Sequence, residues 1–132
     1  MCELCETKGG ILLWEDDFLR IVSVEMPEYV GFCRVILQRH LSEMTDLSSN
    51  DRNRLMNAVW AVETALRNLY KPTKINLASL GNVVPHLHWH IIPRFSDDPH
   101  FPQPIWSNPL RKNSYRPEID NETLRHEILA HL

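Results

Sequence analysis

Long apolar runs are missing from this chain. No stretch of its 132 residues approaches the roughly 18–20 consecutive apolar residues of a membrane span. The opening residues, Met1-Cys2-Glu3-Leu4-Cys5-Glu6, have no basic segment leading into an apolar one, so a secretory signal is not expected. Cysteine is scarce and odd in number: Cys2, Cys5 and Cys33. That excludes a disulfide framework and fits a reducing, cytoplasmic setting. Neither sign of charge dominates. Fourteen Lys and Arg against 17 Asp and Glu leave a formal net charge of -3, which argues against a nucleic-acid or membrane-surface partner. Low-complexity tracts, internal repeats and a second core are absent too. What remains is ordinary globular composition, 43% hydrophobic and 23% charged, at a length that predicts one compact domain.

Within it, Ile11–Trp14, Phe18–Val24 and Gly31–Leu37 read as strands, separated by the acidic turn Glu15-Asp16-Asp17 and the break at Met26-Pro27. A long helix begins near Ser48, where Ser48 and Asp51 resemble a capping box. Leu55, Val59, Val62, Leu66 and Leu69 form its apolar stripe, and it ends between Asn68 and Pro72. Trp60 is read as core beside that stripe. Lys74–Ala78 is a further strand, and the turn Ser79–Asn82 suggests that it pairs antiparallel with the histidine-rich strand after it. After Arg94 the chain turns irregular and proline-rich (Pro99, Pro102, Pro104, Pro109), and Glu122–Leu132 reads as a helix capped by Asp120 or Asn121. The fold class implied is α+β: a small antiparallel sheet with one long helix and a C-terminal extension.

The densest signal is His86-Leu87-His88-Trp89-His90-Ile91-Ile92, bracketed by Pro85 and Pro93. Histidine occupies every second position and large apolar residues fill the gaps. A strand places the three imidazoles on one face and Leu87, Trp89 and Ile91 in the core, whereas a helix would turn His88 away from the other two. Three imidazoles on one face add little to a structural strand and cost desolvation unless paired. Chemistry at phosphorus and a metal site are the two functional readings. For phosphorus, a neutral, oriented histidine is a nucleophile, and amides or backbone N–H groups stabilise the developing charge. Asn76, Gly81 and Asn82 lie where such contacts are needed, though Asn76 fits a strand end and Asn82 a turn equally well. Arg94 fits a bidentate phosphate contact or a surface salt bridge. Cys33 reads as a small buried hydrophobe, and His100, His126 and His131 as surface residues. Trp106 reads as packing on its own domain, or as a contact residue for a base or partner. Cys2-Glu3-Leu4-Cys5 is a Cys-x-x-Cys pair, half of a zinc ligand set.

The pattern His86-x-His88-x-His90-x-x resembles the signature of the histidine triad (HIT) family, and Pro93-Arg94 is similar to its branch that hydrolyses dinucleoside polyphosphates. The acidic turn at 15–17, the strand entered through Pro27 and Gly31, the Arg39-His40 loop, Asn76 and Gly81-Asn82 agree with it. The resemblance covers about residues 2–95, which implies a single HIT-like domain over 1–132 with a C-terminal extension over about 96–132. It implies that His88 attacks the α-phosphorus and forms a covalent nucleotidyl-histidine, with His90 contacting the scissile phosphate. The carbonyl of His90 would be the acceptor for the second nitrogen of His88. Asn76, Gly81, Asn82 and His90 would bind substrate, a dinucleoside polyphosphate such as Ap4A. Asn82 and Val83 depart from the family's Gln and small polar residue, so one hydrogen bond to phosphate is expected to be missing. Cys2, Cys5, His40 and His86 match a structural Zn²⁺ site found in several HIT proteins; without metal, His40 and His86 would hydrogen-bond behind the nucleophile. A homodimer is implied as well. The alternatives are a nucleoside phosphoramidate hydrolase, a nucleotide-binding regulatory module with little turnover, and a metal-binding protein.

Overall fold

In a computed structural model, described over residues 2–112 and 116–132, the chain forms a five-stranded antiparallel sheet with helices. The elements are α1 (Glu3–Glu6), β1 (Ile11–Glu15), β2 (Leu19–Ser23), β3 (Cys33–Leu37), α2 (Ser49–Tyr70), β4 (Lys74–Ala78), β5 (His88–Arg94) and α3 (Asn121–Leu129). The spatial order is β1-β2-β3-β5-β4, every pair antiparallel. Of the extension, residues 113–115 lie outside the described residues. No helix among the described residues is long and apolar enough to cross a membrane.

Alternation along the strands divides the interior. Leu19 and Ile21 of β2, Cys33, Val35 and Leu37 of β3, and Ile91 of β5 point to one face. There they meet Leu55, Val59, Val62 and Leu66 of α2 and Leu124 and Ile128 of α3. The predicted stripe of α2 is thus the packed face. Ser48 Oγ accepts from the Asp51 N–H at 3.2 Å, and Lys71 ends the helix in the left-handed region at φ 48°. Asp120 caps α3 through the Thr123 N–H at 2.8 Å; α3 stops at Leu129, three residues short of the predicted end. Trp60, expected in the core, is 47% exposed: it lies off the packed face, and the core stripe closes without it.

The opposite face of the sheet is covered from two ends. Leu4 of α1 packs on Val22 and Ile36. At the other end Tyr29, Phe32 and Ile92 form a cluster against Ile105 of the extension. A sheet covered on both faces explains why every residue of β2 is buried. Three arginines lie on this second face. Arg20 bonds through every guanidinium nitrogen: Nε donates to Lys8 O, Nη1 to Gln38 Oε1, and Nη2 to Leu4 O and Thr7 O. Arg94 is 2% exposed and also bonds through every guanidinium nitrogen, donating twice to Asp98 at 2.7 and 2.9 Å and once to Asn76 Oδ1 at 2.8 Å. It is therefore neither a phosphate contact nor a surface ion pair; its charge holds the start of the extension. Arg34 makes one hydrogen bond, Nη1 to Gly9 O at 2.9 Å.

The histidine strand is shifted by two residues from its predicted span. Before His88 the backbone leaves the ladder: the His86 N–H bonds Val84 O, and the Leu87 N–H reaches Leu41 O. At its other end the strand continues through Pro93. The last pair with β3 is Cys33↔Ile91, so Pro93 has only β4 as a neighbour and occupies an edge-like position that tolerates a missing donor.

Candidate active site and metal centre

All three histidines are buried: His86 at 0%, His88 at 8% and His90 at 6% exposure. The Nδ1–H of His88 donates to the carbonyl of His86 at 2.5 Å. The acceptor is thus His86 O, not the predicted His90 O. The carbonyl two residues back lies under the same face of the pleat, where the Nδ1 side of the ring turns. With the proton fixed on Nδ1, Nε2 presents a lone pair, and no protein group among the described residues bonds it. Burial lowers the His88 pKa, opposed by this hydrogen bond and reinforced by the charge of Arg34, so the ring is neutral at pH 7. The His88 carbonyl accepts from Ser79 Oγ at 2.8 Å, which ties the strand to the loop after β4.

His90 stands edge-on to His88, ring centroids 4.9 Å apart. It is flanked by Phe32 at 5.6 Å and Trp106 at 5.2 Å. Burial, with the neighbouring His88 and Arg34, pushes its pKa down to about 4. Its Nδ1 is buried without a hydrogen-bond partner among the described residues. Trp106 is half exposed, and it brings the extension onto the triad of its own chain.

A cavity of about 270 Å³ opens beside His86 and His88, lined also by Ser42, Thr45, Ser79 and Gly81. Gly81 has φ +70°, a left-handed turn that glycine adopts without strain. A wider space of about 660 Å³ lies between β4 and the extension, bordered by Asn76, Ala78, Pro102, Pro104 and Trp106. The fold therefore brings His88 beside His90 and onto one cavity with Gly81. Asn76 is nearby, with its side-chain oxygen taken by Arg94. Asn82 and Val83 line neither cavity, and Val83 is 93% exposed. Sequence reading missed Ser79, the Ser42–Thr45 segment and Arg34. For Arg34 a signal existed: a cation in an otherwise apolar strand, at the position that alternates with core residues Cys33 and Val35.

The cysteine pair meets two histidines. Cys2 Sγ and Cys5 Sγ each lie 3.4 Å from His86 Nδ1, Cys5 Sγ lies 3.4 Å from His40 Nδ1, and the two Nδ1 atoms are 3.2 Å apart. All four ligand atoms fall within 4.8 Å of one another. A tetrahedral zinc with bonds of about 2.3 Å to sulfur and 2.0–2.1 Å to nitrogen has S···N edges of roughly 3.6 Å and an N···N edge of roughly 3.4 Å. The donor set fits that ion. His86 Nε2–H donates to Leu37 O at 2.6 Å, which aims the Nδ1 lone pair into the cluster. Burial lowers the His86 pKa and favours the neutral ring that a metal requires.

Residues 8–97 match the HIT domain family, and the chain belongs to it. It is similar to a histidine triad protein from Bradyrhizobium japonicum, at 26% identity over 92% of each chain with a TM-score of 0.76. A HIT protein from Sinorhizobium meliloti is also 26% identical, over 100% of this chain and 96% of that one, with a TM-score of 0.76. One from Marinobacter aquaeolei shares the fold at 23% identity, 100% and 96% coverage and a TM-score of 0.76. A comparison with curated proteins returns no match. Membership of this family supports a nucleotide-binding or hydrolase function.

Proposed function

We propose that this protein is a nucleotide hydrolase that cleaves a phosphoanhydride or phosphoramidate at the α-phosphate, with a dinucleoside polyphosphate such as Ap4A as the favoured substrate class. The observation that carries the reading is the fixed tautomer of His88: Nδ1–H is held by the His86 carbonyl and the Nε2 lone pair is left to attack. In the first step the Nε2–phosphorus bond forms and the bond from phosphorus to the bridging atom breaks; a bridging oxygen leaves with that bond's electron pair as a phosphate anion, and a bridging nitrogen takes a proton from solvent and leaves as the amine. In the second step water attacks phosphorus, the phosphorus–Nε2 bond breaks, and a nucleoside monophosphate leaves. The water's second proton passes to solvent, and His88 is returned neutral. His90, beside His88 on the same face of β5, would contact the same phosphate, and Gly81 with its neighbouring backbone lines the space beside it.

Cys2, Cys5, His40 and His86 would hold a structural Zn²⁺, which supplies a rigid tie between α1 and the start of β5 and takes no part in the chemistry. A homodimer is part of the reading. The edge of β4 is unpaired, Glu63 of α2 borders the space beside it, and exposed Trp60 lies one turn away on the same helix face. A cytoplasmic location fits three free cysteines.

Incubation with Ap4A tests the assignment. AMP and ATP are the expected products, and His88→Ala should abolish turnover while the circular dichroism spectrum stays unchanged. ADP as the sole product would move the attack away from the α-phosphate. A retained rate in His88→Ala would remove the nucleophile, and no turnover of Ap4A or of AMP phosphoramidate would remove the hydrolase.

A further inference from the structure

Of the three arginines on the histidine face, two are used up by the fold and one is not. Arg20 donates four hydrogen bonds to the N-terminal segment and Gln38, and Arg94 donates three to Asp98 and Asn76. Arg34 donates only from Nη1 to Gly9 O. Its Nε is buried with no partner, and Nη2 bonds no group among the described residues. Arg34 is partly buried, and leaving its buried Nε–H unpaired is costly unless an acceptor arrives. The Nε–Nη2 edge has the spacing of a bidentate contact to two oxygens of one phosphate.

Its position says which phosphate. Arg34 of β3 is directly opposite His90 of β5, and Ile36 is opposite His88. Opposed residues of an antiparallel pair share a face with Cβ atoms about 4.5–5.5 Å apart. The guanidinium also lies 5.8 Å from the Phe32 ring, and that ring flanks His90. Its charge reaches both His88 and His90 strongly enough to oppose protonation of each. Of the loop after β4, Ser79 and Gly81 border the cavity beside His88, whereas Val83 faces solvent and Asn82 does not border that cavity.

We propose that Arg34 is the anion-binding residue of this site, and that its free Nε–Nη2 edge grips the non-bridging oxygens of the phosphate that His88 attacks. The proposal rests on the reading of His88 as the nucleophile. In the chain's own terms, a cation from β3 does the work that loop side chains would otherwise do. Because the negative charge on those oxygens is fixed in position as the Nε2–phosphorus bond forms, the contact contributes to turnover as well as to binding.

AMP retains that phosphate and adenosine lacks it, so the pair isolates the contact. Arg34→Met keeps the length and apolar stem of the side chain. It should weaken AMP binding by about 10- to 100-fold, the range of a charged hydrogen bond, leave adenosine binding unchanged, and lower kcat/KM on Ap4A by about 100-fold or more. Arg34→Lys should recover part of the AMP affinity, since it restores the charge without the fork. A purely structural arginine would weaken AMP and adenosine alike, and that result overturns the proposal. So does AMP affinity that is unchanged while kcat/KM falls, which would place Arg34 on the leaving group. Should Arg34→Met fail to fold, the wild-type protein decides. Its Arg34 Nε–H resonance, assigned by its loss in Arg34→Lys, should shift on adding AMP and stay put on adding adenosine; no shift with AMP overturns the proposal. Wild-type protein that binds AMP through Arg34 but turns over nothing would remove the hydrolase reading alone.

Discussion

The tie between Arg94 and Asp98 holds the extension in place, and its geometry sets its strength. Asp98 is 3% exposed and Arg94 2%. The carboxylate accepts two bonds from the guanidinium, at 2.7 and 2.9 Å, and three from the N–H groups of Phe95, His100 and Phe101. Although burial works against it, these donors hold the Asp98 pKa down to about 2 from 3.8. That difference is worth about 2.5 kcal/mol of folding free energy at neutral pH. Asp98→Asn copies the protonated state in shape and should cost about that much; Asp98→Ala, which strands a buried guanidinium, should cost about 3–5 kcal/mol. The sign with pH follows from the depressed value. The unfolded carboxylate takes up its proton first, so the contribution is complete above about pH 5, about half gone at pH 3, and lost as pH falls through about 2. Urea denaturation of wild type and Asp98→Asn, at neutral pH and at about pH 3, reads both effects. A difference below about 0.5 kcal/mol at neutral pH, or a gap that does not narrow on acidification, would refute the reasoning. Because the same extension carries Trp106 onto His90, Asp98→Asn should also raise KM on Ap4A without moving the nucleophile.

Zinc analysis of protein purified without chelator should return one equivalent per chain, and Cys5→Ser should lose it with a fall in Tm; protein without stoichiometric zinc would leave the cluster as four hydrogen-bonding side chains. His90, with its pKa pushed down to about 4 from an ordinary value of 6.5, stays neutral in the fold while the unfolded chain protonates. Its contribution to stability is therefore complete above about pH 6.5 and falls towards about pH 4, by about 3 kcal/mol; His90→Gln should flatten that slope in urea titrations, and an equal slope in both proteins would show that His90 does not cause it. Gly31 has φ +78°, and a Cβ there would lie 2.7 Å from Tyr70 Cε2. Gly31→Ala should thus destabilise by more than about 1 kcal/mol, measured as a lower urea midpoint, whereas an unchanged midpoint would mean that Tyr70 moves aside freely.

What a sequence can reveal depends on how local each cause is. Periodicity is local, so the α2 stripe from Leu55 to Leu69, the strand Lys74–Ala78 and the facing of His88 and His90 are legible. So is the pairing of β4 with β5, because they are consecutive strands, although a loop rather than the expected tight turn connects Ala78 to His88. Register across β3 and β5 is not local: nothing within Cys33–Leu37 states that Arg34 will face His90, because the partner strand lies far along the chain. The same distance hides the fate of Arg94, whose buried partner Asp98 belongs to a loop that reads as irregular. Trp60 reads as core because a large aromatic one residue after Val59 looks like part of the stripe, while the 3.6-residue period turns it off the packed face. The shift of the histidine strand comes from backbone bonds to Leu41 and Val84 that no residue type announces.

His86 joins the cysteine–histidine cluster to His88. Its ring gives Nδ1 to the cluster with Cys2, Cys5 and His40 and Nε2–H to Leu37 O, while its carbonyl receives Nδ1–H of His88. Contacts on both ring nitrogens hold the residue in one orientation, so the carbonyl direction is fixed, and with it the tautomer and orientation of the His88 ring. On the proposed mechanism the three alternating histidines are one positioning residue and two that meet the phosphate. On that mechanism His86 need not touch substrate, because a single backbone carbonyl links it to His88. Arg34 enters from the adjacent strand, which is paired to β5 by backbone hydrogen bonds. The proposed nucleophile and the proposed anion-binding cation would therefore be set by the register of one sheet.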